Sequence, residues 1–207
     1  MEIHIFKNDL PQKFLEDIQS IAVDTETMGL RPYRDRLCLA QFSKGDGNCF
    51  LVQFETFDEA HNIKSILTNQ TILKIFHYAR FDMMILYKYL GVITQNIYCS
   101  KIASKLARTY SSKHGLADIC KELIGVEISK EQTCTDWGNL DLTQKQIEYA
   151  AKDVLYLHEL KSKLDCMLVR EKRKDLAESC FRFLETRVLL DLMVGEDYDI
   201  FSHDSNH

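Results

Sequence analysis

Ile21-Ala22-Val23-Asp24-Thr25-Glu26-Thr27-Met28-Gly29-Leu30 begins as a buried strand and ends as something a core strand should not be. The apolar run Ile21-Ala22-Val23 has the character of a strand covered on both faces. Two carboxylates then appear where such a strand stays apolar, and Gly29 marks a turn. Residues two apart on a strand share a face, so Asp24 and Glu26 project together and Thr25 projects the other way. Carboxylates that close resist ionising together. A divalent cation removes that penalty, and hard oxygen ligands suit Mg2+ or Mn2+. Taken alone, the segment also reads as two solvated acids at a strand end. Two more acids and a tyrosine downstream favour the cation.

Working outward, Arg36 to Phe42 reads as a second strand and Cys49 to Phe54 as a third. The tight-turn signal Gly45-Asp46-Gly47-Asn48 joins them, which predicts an antiparallel meander. Upstream, residues 2–6 alternate enough for a short strand, and a helical run follows around Phe14 to Ile18. Downstream the period changes. Phe57 to Leu67 predicts a helix with Ala60, Ile63, Ile66 and Leu67 along one stripe. Ile72 to Phe76 is a fourth strand, followed at once by a helix from about Ala79 to Leu90 that Gly91 closes. Ile97-Tyr98-Cys99 is a short fifth strand, and the pattern is helical from Lys101 onward.

Ser129-x-x-Gln132 and Thr143-x-x-Gln146 both fit the capping-box pattern. The second opens one long helix running to about Leu168, with Ile147, Ala150, Ala151, Val154, Leu157, Leu160 and Leu164 facing inward. A last amphipathic helix spans roughly Asp175 to Met193, and the tail beyond Gly195 is acidic. Strands first, then alternation, then helices predict an α/β fold. The expected architecture is a mixed five-stranded central sheet flanked by helices, with a helical C-terminal part.

At 207 residues and 45% hydrophobic, the chain can bury one substantial core, so residues 1–207 read as a single domain. No window approaches the roughly 18 uninterrupted apolar residues that a membrane span requires. Met1-Glu2-Ile3-His4-Ile5-Phe6-Lys7 lacks the layout of a secretory signal. Seven cysteines, an odd number with no C-x-x-C pair, fit free thiols better than disulfides or a zinc site. The expected address is cytoplasmic. A net charge of −5 argues against a protein that coats nucleic acid with a basic surface. It leaves a nucleic-acid enzyme open, because clustered catalytic acids supply such a charge themselves and bound cations would offset it.

Asp82, in His77-Tyr78-Ala79-Arg80-Phe81-Asp82, stands where the fourth strand passes into its helix. There it is either a dipole partner of the helix or an acid able to reach the same cations. Tyr149 and Asp153 are four apart and share a helix face. A surface pair would look alike, but Ala150 and Ala151 let this helix approach another element closely. His77, His114 and His158 show no metal-ligand spacing: His158 reads as structural or surface, His77 as a candidate substrate contact. Trp137 reads as a packing anchor rather than a base-stacking platform. Between Ser100 and Ala117 there is no acid, while Lys101, Lys105, Arg108, Lys113 and His114 are present. That stretch is either a phosphate-contacting segment or an ordinary solvated helix face.

Together, Asp24-Thr25-Glu26, Phe81-Asp82 and Tyr149-x-x-x-Asp153 resemble the tyrosine-containing branch of the DEDD exonuclease superfamily, over about Ile21 to Leu160. Within that branch the chain is similar to ribonuclease D, in Gln146-x-x-Tyr149-Ala150-Ala151-x-Asp153-Val154 and in Asp136-Trp137-Gly138. Only about 50 residues follow the third motif, which leaves no room for that family's C-terminal RNA-binding domains. The chain most resembles the short nano-RNase C group. The shared segments are Asp24 to Gly29, Arg34-Asp35-Arg36-Leu37-Cys38, Lys113-His114-Gly115-Leu116 and Asp199-Ile200-Phe201-Ser202-His203.

The resemblance implies a ribonuclease H-like exonuclease fold. It also implies an oligoribonuclease that takes very short RNAs, dinucleotides above all, to mononucleotides, with DNA as a further substrate. It implies a ring-like homo-octamer, with the C-terminal helix and tail of about 170–207 in its contacts. By the same likeness Asp24, Glu26 and Asp153 hold one cation, and Asp24 bridges to a second that Asp82 supports. Two such ions stand about 3.5–4 Å apart and clamp the attacking and leaving oxygens. Tyr149, with an ordinary pKa of about 10, positions the attacking water. Leu30 aligns with an apolar wedge between the last two bases. Thr25, His77 and Phe81 become substrate neighbours, and the basic stretch Lys101 to His114, with Lys113 and His114 in it, is read as a cap over the 5′ end, acting within one subunit or across an interface. Two rivals stay open: a general 3′–5′ exonuclease on longer RNA or DNA, and a non-enzymatic RNA-binding scaffold. Retention of all four acids and the tyrosine weighs against the scaffold.

Overall fold

The apolar run that opens at Ser20 becomes an interior strand of a six-stranded sheet. The computed structural model describes residues 2–32, 34–128, 135–195 and 198–202. In chain order these form β1 (Glu2–Lys7), a short 3-10 turn (Gln12–Leu15), β2 (Ser20–Thr27), β3 (Leu37–Ser43) and β4 (Asn48–Gln53). Next come α1 (His61–Thr68), β5 (Leu73–Phe76), α2 (Ala79–Leu90), β6 (Ile97–Cys99) and α3 (Ser100–Ala107). The remainder is helical: α4 (Leu116–Ile124), α5 (Gln144–Leu155), α6 (Leu157–Arg170) and α7 (Lys174–Val194).

The sheet order is β1-β4-β3-β2-β5-β6. β2, β3 and β4 form the expected antiparallel meander, and β5 and β6 continue the sheet parallel to β2. The sheet has six strands rather than five. Residues 2–7 pair parallel with β4, from Glu2↔Asn48 to Lys7↔Gln53. Without them β4 would be an edge strand with a row of unpaired backbone groups.

Two helix boundaries also differ from expectation, each for a tertiary reason. α1 starts at His61, not Phe57, because its first turn is capped from across the fold. Asp9 accepts the backbone N–H groups of Asn62 at 2.8 Å and Ile63 at 2.9 Å. The long helix predicted from Thr143 divides at Tyr156. α5 lies across β2, β3 and β4, while α6 packs on α3, α4 and α7. One straight helix could not bury Val154 in the first layer and Leu160, Leu164 and Leu168 in the second. The Thr143–Gln146 capping box is present as expected. The Ser129–Gln132 box lies outside the described residues.

α7 closes the structure against α2 and β6. Its Asp191, 0% exposed, receives Arg80 of α2 at 2.9 Å and Arg187 of its own helix at 2.7 Å. The cysteines among the described residues are free, four of them buried. Among the described residues, no helix is long and apolar enough to cross a membrane.

Candidate active site

Strand alternation on β2 decides which acids meet. Asp24 and Glu26 share the face over which α5 runs, and Asp153 of α5 joins them. One carboxylate oxygen from each of the three lies within 4.8 Å of the others. Asp82 arrives from the first turn of α2 and is only 3% exposed. It accepts a hydrogen bond from Thr25 Oγ1 at 2.7 Å. The Thr25 hydroxyl is thereby engaged with an acid of the cluster.

The four acids crowd one another's charge. Burial pushes Asp24 up to about 7, against a backbone hydrogen bond from Thr25. Glu26 is held well above the usual carboxylate range by burial and then by the charges of Asp24, Asp153 and Asp82. Asp82 is raised by burial and by Asp24, and Thr25's hydroxyl opposes the shift. Asp153 is raised by burial and Asp24, and a hydrogen bond with Tyr149 opposes it. None of the ion pairs among the described residues engages any of these four acids. Charges withdrawn from water are either paired or metal-bound. A convergent set of hard oxygens with no protein cation fits a divalent ion such as Mg2+, and Asp24, Glu26 and Asp153 are placed so that they could hold one.

Tyr149 is braced as well as bonded. Its ring lies 6.1 Å, centroid to centroid, from that of Trp137, which is 3% exposed. The tryptophan is thus the packing anchor expected of it.

The turn after β2 is shaped by a close approach. Any side chain at Gly29 would collide with the carboxylate of Asp35, which accepts the backbone N–H of Arg31 at 2.9 Å. Thr27 Oγ1 donates to the Gly29 carbonyl. The tightened loop presents Leu30 to solvent, 80% exposed. Phe81 is half-buried against the core beside Asp82.

On the other side of α2's start, His77 lies beside Ser100 Oγ, 2.9 Å from its Nδ1, and within hydrogen-bonding reach of the His114 backbone. Burial, with the charge of Lys101, lowers its pKa to about 3, so the ring is neutral. His114 Nδ1 in turn sits 2.9 Å from Ser104 Oγ. The two histidines and the Lys113 loop, remote in sequence, are therefore neighbours. One member of the basic stretch points elsewhere. Arg108 is fully buried, pairs with Glu122, and donates to Ser104 Oγ at 2.9 Å and to the Lys113 carbonyl at 2.7 Å. It holds the loop up from beneath and does not face a ligand. Sequence reasoning missed this, together with the Thr25–Asp82 bond and the Gly29–Asp35 approach. None of them has a local signal.

A 3′–5′ exonuclease family profile matches residues 4–169. Ribonuclease D of Desulfotalea psychrophila is 29% identical over 140 residues, 68% of this chain and 37% of that protein. The chain spans about two fifths of the length of the curated ribonuclease D relatives it matches. NrnC of Brucella melitensis, solved bound to pGG, superposes with a TM-score of 0.94 at 48% identity, covering 98% of this chain and 99% of that one. The same Brucella protein with bound Mg2+ gives 0.92 at 47%, covering 98% and 100%.

Proposed function

The chain belongs to the 3′–5′ exonuclease family, and from that membership we propose that it hydrolyses very short RNAs, dinucleotides above all, to 5′-mononucleotides. The observation that carries the reading is its end-to-end likeness to the Brucella protein that binds pGG, a ligand two nucleotides long. The chemistry of the acidic cluster agrees. Asp24, Glu26 and Asp153 would hold one divalent cation, and Asp24 and Asp82 would support a second. When bound, such cations stabilise charge on the attacking and leaving oxygens of an in-line displacement at phosphorus.

The chain's own residues do the rest. Tyr149, bonded to Asp153 and braced by Trp137, orients the attacking water. Thr25 acts through Asp82, holding that carboxylate in place beside the other acids. Leu30 separates the two bases as an exposed apolar wedge, and Phe81 flanks it. His77, neutral, meets the substrate as a dipole rather than a charge. Lys113 and His114 cap the 5′ end, which is how a short substrate comes to be preferred over a longer one.

The segment of about 170–207 serves assembly into a homo-oligomer, an octamer by family likeness. Leu176, Leu189, Met193 and Phe201 stand exposed along α7 and the tail, which supports that role. Residues 1–207 act as one exonuclease domain.

The deciding experiment is a time course on 5′-labelled RNAs of two, five and twenty nucleotides, with Mg2+ and with EDTA. The dinucleotide is expected to be consumed far faster than the longer chains. If all lengths, or DNA equally, shorten steadily from the 3′ end, the activity is general trimming of the ribonuclease D kind. Absence of hydrolysis with either Mg2+ or Mn2+ leaves the scaffold reading.

A further inference from the structure

Gln41 is fully buried in β3, yet neither its Oε1 nor its Nε2 has a hydrogen-bond partner in the protein. An unpaired amide in the interior is costly, and nearly all buried polar groups avoid it. The same strand places Leu37, Leu39 and Phe42 in the core, so an apolar residue would suit this position without that cost. What distinguishes the site is its neighbour across the ladder. Gln41 pairs directly with Asp24 of β2. Side chains of such a pair leave the sheet on one face with Cβ atoms about 4.5–5.5 Å apart. On its other side Gln41 pairs with Leu51 of β4, which is apolar, and α5 lies over all three strands.

We propose that Gln41 is a positioning residue of the cation centre: when a divalent ion is bound, the Gln41 Nε2–H donates to the Asp24 carboxylate beside it in the ladder and fixes that carboxylate's orientation toward the ion. The assignment rests on the metal-centre reading of the acidic cluster. A ligating carboxylate keeps lone pairs that the cation does not use. With Leu51 on its other flank and α5 over the strands, Gln41 has Asp24 as the polar neighbour beside it in the ladder. Partners of this kind, one step out from the metal, commonly tune its affinity.

The test is Gln41→Leu, measured first without substrate. Mn2+ binding by calorimetry should weaken by roughly ten- to a hundredfold, while the melting temperature in EDTA stays at or above wild type. The metal concentration for half-maximal hydrolysis should rise in parallel, with KM for the dinucleotide unchanged. Wild-type Mn2+ affinity together with a lowered melting temperature would make Gln41 a packing residue and overturn the assignment. If Gln41→Leu does not fold, Gln41→Met takes the same measurements, and the same two outcomes support or overturn the assignment. A wild-type protein that binds Mn2+ but hydrolyses no nucleotide would remove the proposed function, while the calorimetry still decides on Gln41.

Discussion

Asp191 and Asp24 are both carboxylates drawn away from water, and the protein neutralises them in opposite ways. Asp191, between α7 and α2, is met by two guanidinium groups, Arg80 at 2.9 Å and Arg187 at 2.7 Å. Asp24, on β2, is met by more acid: Glu26 and Asp153 bring oxygens within 4.8 Å. The first arrangement is complete within the chain and holds a helix in place. The second is made of acids alone, and its balancing charge has to come from solution. A carboxylate that serves the fold carries its own cation. The acidic set meets no lysine or arginine in an ion pair among the described residues.

The largest effect that could break this contrast is on activity. Asp24→Asn should lower hydrolysis by about a thousandfold or more, the several kcal/mol that metal-assisted charge stabilisation supplies. Its melting temperature in EDTA should match or exceed wild type, since one member of a mutually repelling set is gone. Near-normal turnover in this variant would show that the cluster is not the reaction centre.

Asp191→Asn should do the reverse. Removing the buried charge that two arginines share costs about 3–5 kcal/mol, which for a chain of this length lowers the melting temperature by roughly 10 °C. Turnover per folded molecule should persist. An unchanged melting temperature would mean that the Arg80–Asp191–Arg187 clasp contributes little.

Metal addition sharpens the contrast further. At a hundredfold excess over its dissociation constant, Mg2+ should stabilise the wild type by about 2.7 kcal/mol. The rise should survive in Asp191→Asn and vanish in Asp24→Asn, as read by thermal melts.

The smallest effect is on pH. Because the four site acids have raised pKa values in the folded chain, Asp24 to about 7, the native state holds more protons than the unfolded one above their ordinary values near pH 4. Metal-free stability should therefore fall as pH rises from about 4 through 7, and Mg2+ should stabilise more at pH 8 than at pH 6. A metal-free melting temperature that climbs over that range would contradict the raised values.

Much of the site is legible in the order of residues. Asp24 and Glu26 share a strand face, Tyr149 and Asp153 share a helix face, and Asp82 follows a strand directly. These relations are local, set by the two- and 3.6-residue periods of the backbone. His77 and His114 are legible as candidates but not as neighbours. Arg108 reads as one more surface cation, and only its burial against Glu122 reveals a support. Gln41 gives no signal at all, because an amide in an apolar strand acquires meaning only from the residue paired with it.

By itself, then, the order of residues determined the strands of the meander, the helix that Thr143 opens, and which acids could act together. Tertiary structure alone decided that β1 joins β4 as a sixth strand, that the long helix divides at Tyr156, that Asp9 caps α1, and that Arg80 reaches Asp191. The division has one physical cause. Periodicity and turn chemistry act over a few residues and leave their mark in the chain. Edge pairing, distant caps and buried ion pairs bring together groups dozens of residues apart, and what selects them is the backbone hydrogen bonding and charge that must be satisfied once the core has closed.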